Sequence, residues 1–188
     1  ETKETVWELG EQDAHGILRA QHNPTLLSRD PPTVLVADSE NDRVVEYRRQ
    51  ENGTWNLVWE YRGRLSWPRD ADRLPNGNTL VVDTLGQRVL EVTPNRTVVW
   101  EIRVAKMPYD VERRQYGDEP QGPPTGVSAV ETAADRSGPS AFAELYRTSL
   151  WVLPAWIGIG AFYGLVAALV VALAWAAVEA GLAVRRRL

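Results

Sequence analysis

The stretch LSWPRDADRLPNGNTLVVDTLGQRVLEVTPNRTVVWEI, from Leu65 to Ile102, decides the fold of this chain. It contains four short β-prone runs, at Asp70–Leu74, Thr79–Asp83, Val89–Thr93 and Val98–Ile102. Turn residues of the Asn-Gly, Leu-Gly and Pro-Asn types separate the runs, as expected between antiparallel strands. The stretch therefore predicts one four-stranded antiparallel meander.

The same arrangement occurs once upstream, at a distance of 41 to 47 positions. The matching segments are His22–Leu27 with Arg69–Leu74, Leu35–Ser39 with Leu80–Thr84, Arg43–Tyr47 with Arg88–Val92, and Val58–Tyr61 with Val99–Ile102. A period in the low forties with four strands per unit is typical of a β-propeller, whose sheets stack face to face. The predicted fold class is all-β, with two complete propeller blades within residues 1–119.

Two partial copies flank the complete ones. Val6–Leu9 matches the last strand of a blade, and Pro108–Arg113 matches the first strand at Pro68–Arg73. Because propellers usually close with roughly four to eight blades, we expect the remaining blades to come from a longer polypeptide or from another subunit. If they belong to a longer polypeptide, we expect this chain to be its C-terminal part.

Composition narrows the classes of partner. The 188 residues include no cysteine, which excludes disulfides and cysteine-ligated metals. Residues 1–147 carry 24 acidic against 18 basic side chains, a balance that repels nucleic acid. We therefore expect no nucleic-acid partner.

The C-terminal part of the chain has a different character. Residues 120–147 are rich in proline and glycine and predict a flexible extracellular linker. Thr148–Val178 contains 31 residues without a charge, which predicts a membrane-spanning helix within 148–180. Three arginines follow in the tail 181–188, so the positive-inside rule places this tail in the cytoplasm. The prediction is a single-pass protein of the cell membrane with its propeller outside.

The position that opens each blade lies at the mouth of a propeller's central channel. His22, Arg69 and Tyr109 occupy these positions in turn, and Asn23, Asp70 and Asp110 follow them. At these residues the sequence resembles the arylsulfotransferase family, in particular its membrane-anchored archaeal members. The family repeats a histidine at this position, a Leu-Pro-Asn-Gly-Asn-x-Leu hairpin and a Val-Val-Trp strand. The likeness covers roughly residues 5–115 and is greatest at Leu74–Leu80 and Val98–Trp100.

The resemblance implies a six-bladed propeller that moves a sulfuryl group from a phenolic sulfate ester to an acceptor phenol. A histidine is sulfated transiently, so no nucleotide donor or other cofactor is needed. By this resemblance His22 is the nucleophile and Arg69 the sulfate clamp, both catalytic, while Tyr109 and Asp70 bind substrate. A neutral imidazole is a suitable nucleophile, and a guanidinium stabilises charge on sulfuryl oxygens.

Structural roles compete for the same residues. The alternative role for His22 is a hydrogen bond that orders the turn after it, and the alternative for Arg69 is an ion pair with Asp70 or Asp72. The recurring Trp7, Trp59 and Trp100 are predicted to pack between blades.

A second resemblance points to another class of function. Val36–Tyr47 is similar to an NHL repeat, in which Asp and Asn tie the turn between strands of a non-catalytic propeller. This likeness implies an extracellular module that binds a ligand or protein. The acidic residues of the same turn lack the glycine and the final glutamate of an EF-hand, so no metal site is predicted.

Overall fold

The computed structural model describes residues 3–11, 14–104, 106–126, 145–146, 148–149, 152–154 and 157–185. The chain divides into two compact units, Glu1–Pro139 with the strands and Ser140–Leu188 with a long helix. The strands are β1 Gln21–Arg29, β2 Pro32–Asp38, β3 Arg43–Arg49, β4 Trp55–Tyr61, β5 Pro68–Arg73, β6 Thr79–Asp83, β7 Arg88–Val92 and β8 Val98–Arg103. A 3-10 helix, Ser39–Asn41, joins β2 to β3, and the long helix α1 is Ile159–Arg185.

The strands form two antiparallel sheets of four strands each. The first sheet has the order β1-β2-β3-β4, and the second has the order β5-β6-β7-β8. The prediction of two four-stranded antiparallel meanders is thus confirmed. β6 has the predicted bounds, whereas the other strands of the second sheet begin or end one or two residues away, as β5 does at Pro68–Arg73.

The two sheets share an irregularity at the same position of their last two strands. Glu46 pairs with Trp59 in the first sheet, and Glu91 pairs with Trp100 in the second. In both sheets the register shifts directly after that glutamate. The extra residue is a β-bulge in the outer strand, and it bends that strand in the same way in both sheets. The bulge is therefore part of the repeating unit.

The main core lies between the sheets. Alternate residues of each strand face the partner sheet, so Leu35 and Val44 from the first sheet meet Val81 and Leu90 from the second. Trp59 is fully buried among them, and its indole Nε1 donates to the Pro94 carbonyl at 2.8 Å. Packing of aliphatic side chains around this large aromatic holds the sheets face to face.

Trp7 lies on the opposite face of the first sheet. It packs there with Leu9 against Val36 and Val45, and its ring centre is 5.2 Å from that of Trp55. This is the kind of contact that Trp59 makes with the second sheet. Val6–Leu9 nevertheless forms no strand in the described part of the chain, so the prediction of a strand there is wrong.

Trp100 departs from the prediction that it packs between blades. Its side chain is 39 % exposed, whereas Trp59 at the matching position is buried by the second sheet. On the corresponding face of the second sheet, the described residues supply Val111 over the aliphatic cluster and the Arg113 guanidinium 4.8 Å from the Trp100 ring centre. This segment is too narrow to cover the outer strand. Pro108–Arg113 itself joins neither sheet, and Arg113 forms an isolated antiparallel bridge with Gly117.

Residues 120–126, assigned by the sequence to a linker, are held on the sheets. The Gly122 amide donates to the Arg73 carbonyl at 2.9 Å, and the Thr125 amide donates to Glu46 Oε1 at 3.0 Å. A side chain at Gly122 would lie 2.2 Å from the Leu74 carbonyl, so this close approach needs glycine. The rest of the expected linker lies outside the described residues, except for 145 and 146.

The helix of the second unit begins later than expected. The sequence predicts a span from 148, whereas α1 covers the 27 residues from Ile159 to Arg185. Pro154 precedes it, and proline disfavours helix both by its missing N–H and by its effect on the residue before it. Within α1, the 25 residues Gly160–Val184 are long and apolar enough to cross a membrane. The tail 186–188 lies outside the described residues.

Candidate functional site

The structure brings together the three residues predicted to open successive blades. His22 is the second residue of β1 and Arg69 the second residue of β5, while Tyr109 comes from the segment after β8. Arg69 Nη1 is hydrogen-bonded to His22 Nε2 and lies 3.3 Å from Nδ1. The Tyr109 hydroxyl is 3.5 Å from His22 Nδ1, and the two rings meet edge to face at 6.0 Å. We call these three residues the His22 cluster.

Asp70 connects the segments that carry the cluster. Its Oδ1 accepts a hydrogen bond from the Asn23 side chain, and its Oδ2 accepts one from the Val111 amide at 3.1 Å. The residue is 1 % exposed. Asp70, proposed from the sequence as a substrate-binding residue, is therefore engaged at both oxygens by the protein, while its neighbours His22 and Tyr109 remain partly accessible.

Burial and charge keep the His22 imidazole neutral. Desolvation and, after it, the nearby Arg69 guanidinium both lower the pKa of His22 below its usual 6.5. A guanidinium only donates hydrogen bonds, so when Nε2 is the nitrogen that accepts from Arg69, the ring proton is on Nδ1 beside the Tyr109 hydroxyl. The contact with Arg69 therefore favours the tautomer with its lone pair on Nε2.

Aromatic faces hold the Arg69 side chain. Its guanidinium carbon lies 3.5 Å from the ring centre of Trp67 and 5.3 Å from that of Tyr109. Among the described residues Arg69 forms no ion pair with Asp70 or Asp72, and its buried Nε has no hydrogen-bond partner. The structure therefore does not show Arg69 neutralising either of those carboxylates.

Asp72 is a buried acid that sequence reasoning did not single out as a site residue. It is 1 % exposed, and its Oδ1 has no hydrogen-bond partner in the part of the chain that the structure describes. Burial, and next the negative field of Asp70, Asp118, Asp110 and Glu119, raise the pKa of Asp72 to about 8. Alternation along β5 already places Asp70 and Asp72 on one face, which is the signal that could have found this residue.

The turn that resembles an NHL repeat is tied by protein donors. Asp38 accepts from Asn41 Nδ2 at 2.9 Å and from Arg43 Nε at 2.6 Å. Arg43 also contacts Glu60 Oε1 at 2.9 Å and donates to the carbonyl of Ile17 at 2.9 Å. Among the described residues no group of three or more His, Asp or Glu side chains could hold a metal ion.

The second sheet repeats this ion-pair arrangement. Arg88 Nε lies 2.6 Å from Asp83 and its Nη1 lies 3.1 Å from Glu101, while Nη2 donates to the carbonyls of Gly63 and Arg64. Sequence reasoning missed the role of these arginines. The signal was present, because an Asp is followed five positions later by an Arg in both units.

A second ion pair links successive units. Arg73 of the second sheet contacts Glu46 of the first at 2.8 Å and lies 5.5 Å from the Trp59 ring centre. Arg113 makes the same two contacts with Glu91 and Trp100. The segment that carries Tyr109 and Arg113 is therefore related to the second sheet as β5 is related to the first.

Comparison with known proteins gives no family for this chain. No family model matches the sequence, and a search of the curated proteins found no match. A function is therefore inferred from the residues and their geometry.

Proposed function

We propose that this chain belongs to a membrane-anchored β-propeller of the arylsulfotransferase type. It transfers a sulfuryl group from a phenolic sulfate ester to an acceptor phenol through His22. The observation that carries this proposal is the His22 cluster, in which a guanidinium and a phenol meet at one neutral imidazole.

The repeated contacts between units support a propeller. Arg73 and Arg113 make the same contacts one unit apart, and Trp7 packs on the first sheet as Trp59 packs on the second. A constant step from one unit to the next is what generates a ring of stacked sheets. In this proposal, the segment 108–113 occupies the position of the first strand of the following unit.

The chemistry needs the Nε2 lone pair of His22. When a sulfate ester binds, its oxygens draw the Arg69 guanidinium away from Nε2, which then forms an N–S bond as the S–O bond to the donor phenol breaks. The donor leaves as phenolate and takes a proton from water. The acceptor phenol next forms a new S–O bond, the N–S bond breaks, and the acceptor proton goes to solvent. Tyr109 accepts the Nδ1 proton in a hydrogen bond and stabilises the charged, sulfated ring.

The helix and the tail support a location at the cell membrane. Gly160–Val184 would cross the membrane once, and the three C-terminal arginines favour a cytoplasmic end. The sheets and the His22 cluster are then extracellular, where phenolic substrates reach them without crossing the membrane.

A binding propeller is the second candidate. The Asp38–Asn41–Arg43 turn favours it, because this network ties a strand connection in the manner of an NHL repeat and uses no catalytic group. In that case Tyr109, which is 60 % exposed, would contribute to a surface for a ligand or protein.

His22→Asn should abolish sulfate transfer while leaving the fold intact. Asparagine keeps a hydrogen-bonding side chain but has no nucleophilic nitrogen, so we expect a loss of at least about 10³-fold. Arg69→Lys keeps the charge and loses the planar fork, so we expect a loss of about 10-fold. The assay is release of a chromogenic phenol from its sulfate by the purified protein in detergent, with an acceptor phenol present.

His15→Asn is the matched control, since His15 is exposed and lies outside the cluster. Its activity should equal that of the wild type. Activity that survives His22→Asn would place the nucleophile elsewhere. No transfer by the wild type over a panel of phenolic sulfates would favour the binding propeller.

A further inference from the structure

Trp67 provides the broad surface on which Arg69 rests. The guanidinium carbon of Arg69 is 3.5 Å from the indole centre, close enough for stacking. Neither an ion pair nor a hydrogen bond at Nε fixes Arg69 among the described residues. Apart from its contacts with His22 and Tyr109, the orientation of the guanidinium therefore depends on this indole.

Trp67 is itself anchored to the first sheet. Its backbone amide donates to Asp42 Oδ1 at 2.8 Å, and its indole Nε1 donates to Glu40 Oε1 at 3.1 Å. Both acceptors belong to the connection between β2 and β3. The indole thus sits at the start of the second sheet but is held by the first, directly beside the strand that carries His22.

The first unit shows which part of this arrangement belongs to the repeat. Trp67 has a φ of 56°, and Ala20, 47 positions earlier, has a φ of 47°. Both residues lie in the left-handed region of backbone conformation, which is unusual for residues other than glycine. The backbone conformation is therefore common to both units, whereas the indole is present only beside Arg69. Because Ala20 occupies the equivalent backbone position, alanine is compatible with this conformation in the same chain.

We propose that Trp67 is a positioning residue for the His22 cluster, holding the planar fork of Arg69 at the imidazole while leaving it free to slide within its own plane. Stacking on an aromatic face resists tilting of the guanidinium but allows movement parallel to the ring. This movement is what sulfate transfer requires, because Arg69 must pass from Nε2 to the sulfuryl oxygens. The sulfate step rests on the proposed function, whereas the positioning of Arg69 does not.

The test measures the titration of His22 by NMR in the purified full chain, labelled at histidine and held in detergent. The chain has two histidines, so the His15→Asn variant assigns both resonances. Arg69→Gln should raise the His22 midpoint, because it removes a cation that disfavours the protonated ring. Trp67→Ala should raise it as well, since an unsupported guanidinium leaves the imidazole, and Trp67→Phe should restore the wild-type midpoint.

A double-mutant cycle separates positioning from burial. In the Arg69→Gln background, Trp67→Ala should produce no further shift, because there is no guanidinium left to position. A shift of equal size in both backgrounds would overturn the proposal, since the indole would then act on His22 through burial alone. An unchanged midpoint in Trp67→Ala would overturn it too. If that variant does not fold by circular dichroism, Trp67→Leu provides the same comparison.

Addition of sodium sulfate keeps the two proposals apart. If His22 responds to sulfate in the wild type and responds more weakly in Trp67→Ala, both the anion site and the positioning role are supported. If sulfate has no effect while the cycle behaves as expected, the sulfotransferase proposal fails and the positioning role of Trp67 stands.

Discussion

Asp72 is a carboxylic acid that the folded chain keeps protonated near neutral pH. Its pKa of about 8 exceeds the ordinary 3.8 because the group is buried in β5 and faces four other acids. Between those two values the folded state binds a proton that the unfolded state has lost. The free energy of unfolding therefore receives a contribution from Asp72 that is complete below pH 3.8 and disappears as the pH rises through about 8.

Asp72→Asn tests this sign directly. The variant cannot ionise, so its stability should fall less than that of the wild type between pH 5 and pH 8. The difference arises with a slope of up to about 1.4 kcal/mol per pH unit, the limit for one proton. Urea unfolding of the full chain in detergent at a series of pH values measures it.

The exposed Asp118→Asn is the control for the neighbouring field. It removes one of the negative charges that raise the pKa of Asp72, so it should shift the upper end of the wild-type profile toward lower pH, and only slightly because exposed charges are screened. Parallel profiles for wild type and Asp72→Asn would mean that Asp72 is ionised in the folded protein.

Part of the candidate site could be predicted from the sequence. In the alignment of the two units, His22 and Arg69 occupy equivalent positions at the start of the first strand. Because these first strands are neighbours in the fold, the two residues come together. Trp67 could not be found in this way, because its role comes from a left-handed backbone and a contact between sheets. Local pattern contains neither. The burial of Asp72 likewise depends on what covers β5.

At the scale of elements, Trp59 and Trp100 form a matched pair. They occupy the same register position of β4 and β8, but Trp59 is fully buried and Trp100 is 39 % exposed. Trp59→Ala should reduce the free energy of unfolding by about 3–5 kcal/mol, as for a large aromatic in a packed core. Trp100→Ala should cost about 1 kcal/mol, chiefly its contact with the Arg113 guanidinium.

Urea unfolding of both variants measures the difference, with Trp100→Phe as a control that keeps an aromatic face for Arg113. Equal losses for Trp59→Ala and Trp100→Ala would show that Trp100 is covered in the protein in solution. That result would restore the original prediction that it packs between blades.

Strands were easier to predict than the start of the helix. Each strand is set by a short apolar pattern and by turn residues next to it, and these are local signals. The long helix begins at Ile159 although the uncharged run begins at Thr148, because Pro154 falls inside that run. The arrangement of the sheets in a closed propeller stays a prediction.

At the scale of the whole molecule, the absence of cysteine allows a clean test of topology. A single cysteine introduced at Glu51, in the exposed turn between β3 and β4, should react with a membrane-impermeant maleimide on intact cells. A single cysteine at position 188 should react only after the membrane is opened. The reverse pattern would place the sheets in the cytoplasm, and labelling of both positions on intact cells would mean that the helix does not span the membrane.

The ion pairs of Arg43 and Arg88 have a consequence for how a repeat protein of this kind gains units in evolution. The partners of Arg43 described above lie between Ile17 and Glu60, and those of Arg88 lie between Gly63 and Glu101. Duplication of a gene segment of one period therefore copies the arginine at this position together with its acceptors, whereas the Arg73–Glu46 pair re-forms between neighbouring units. A new unit then arises with this arginine already paired, whereas a break inside the period would leave the arginine buried without its partners, at a cost of about 3–5 kcal/mol. Selection then admits whole units, and the repeat number changes by integers.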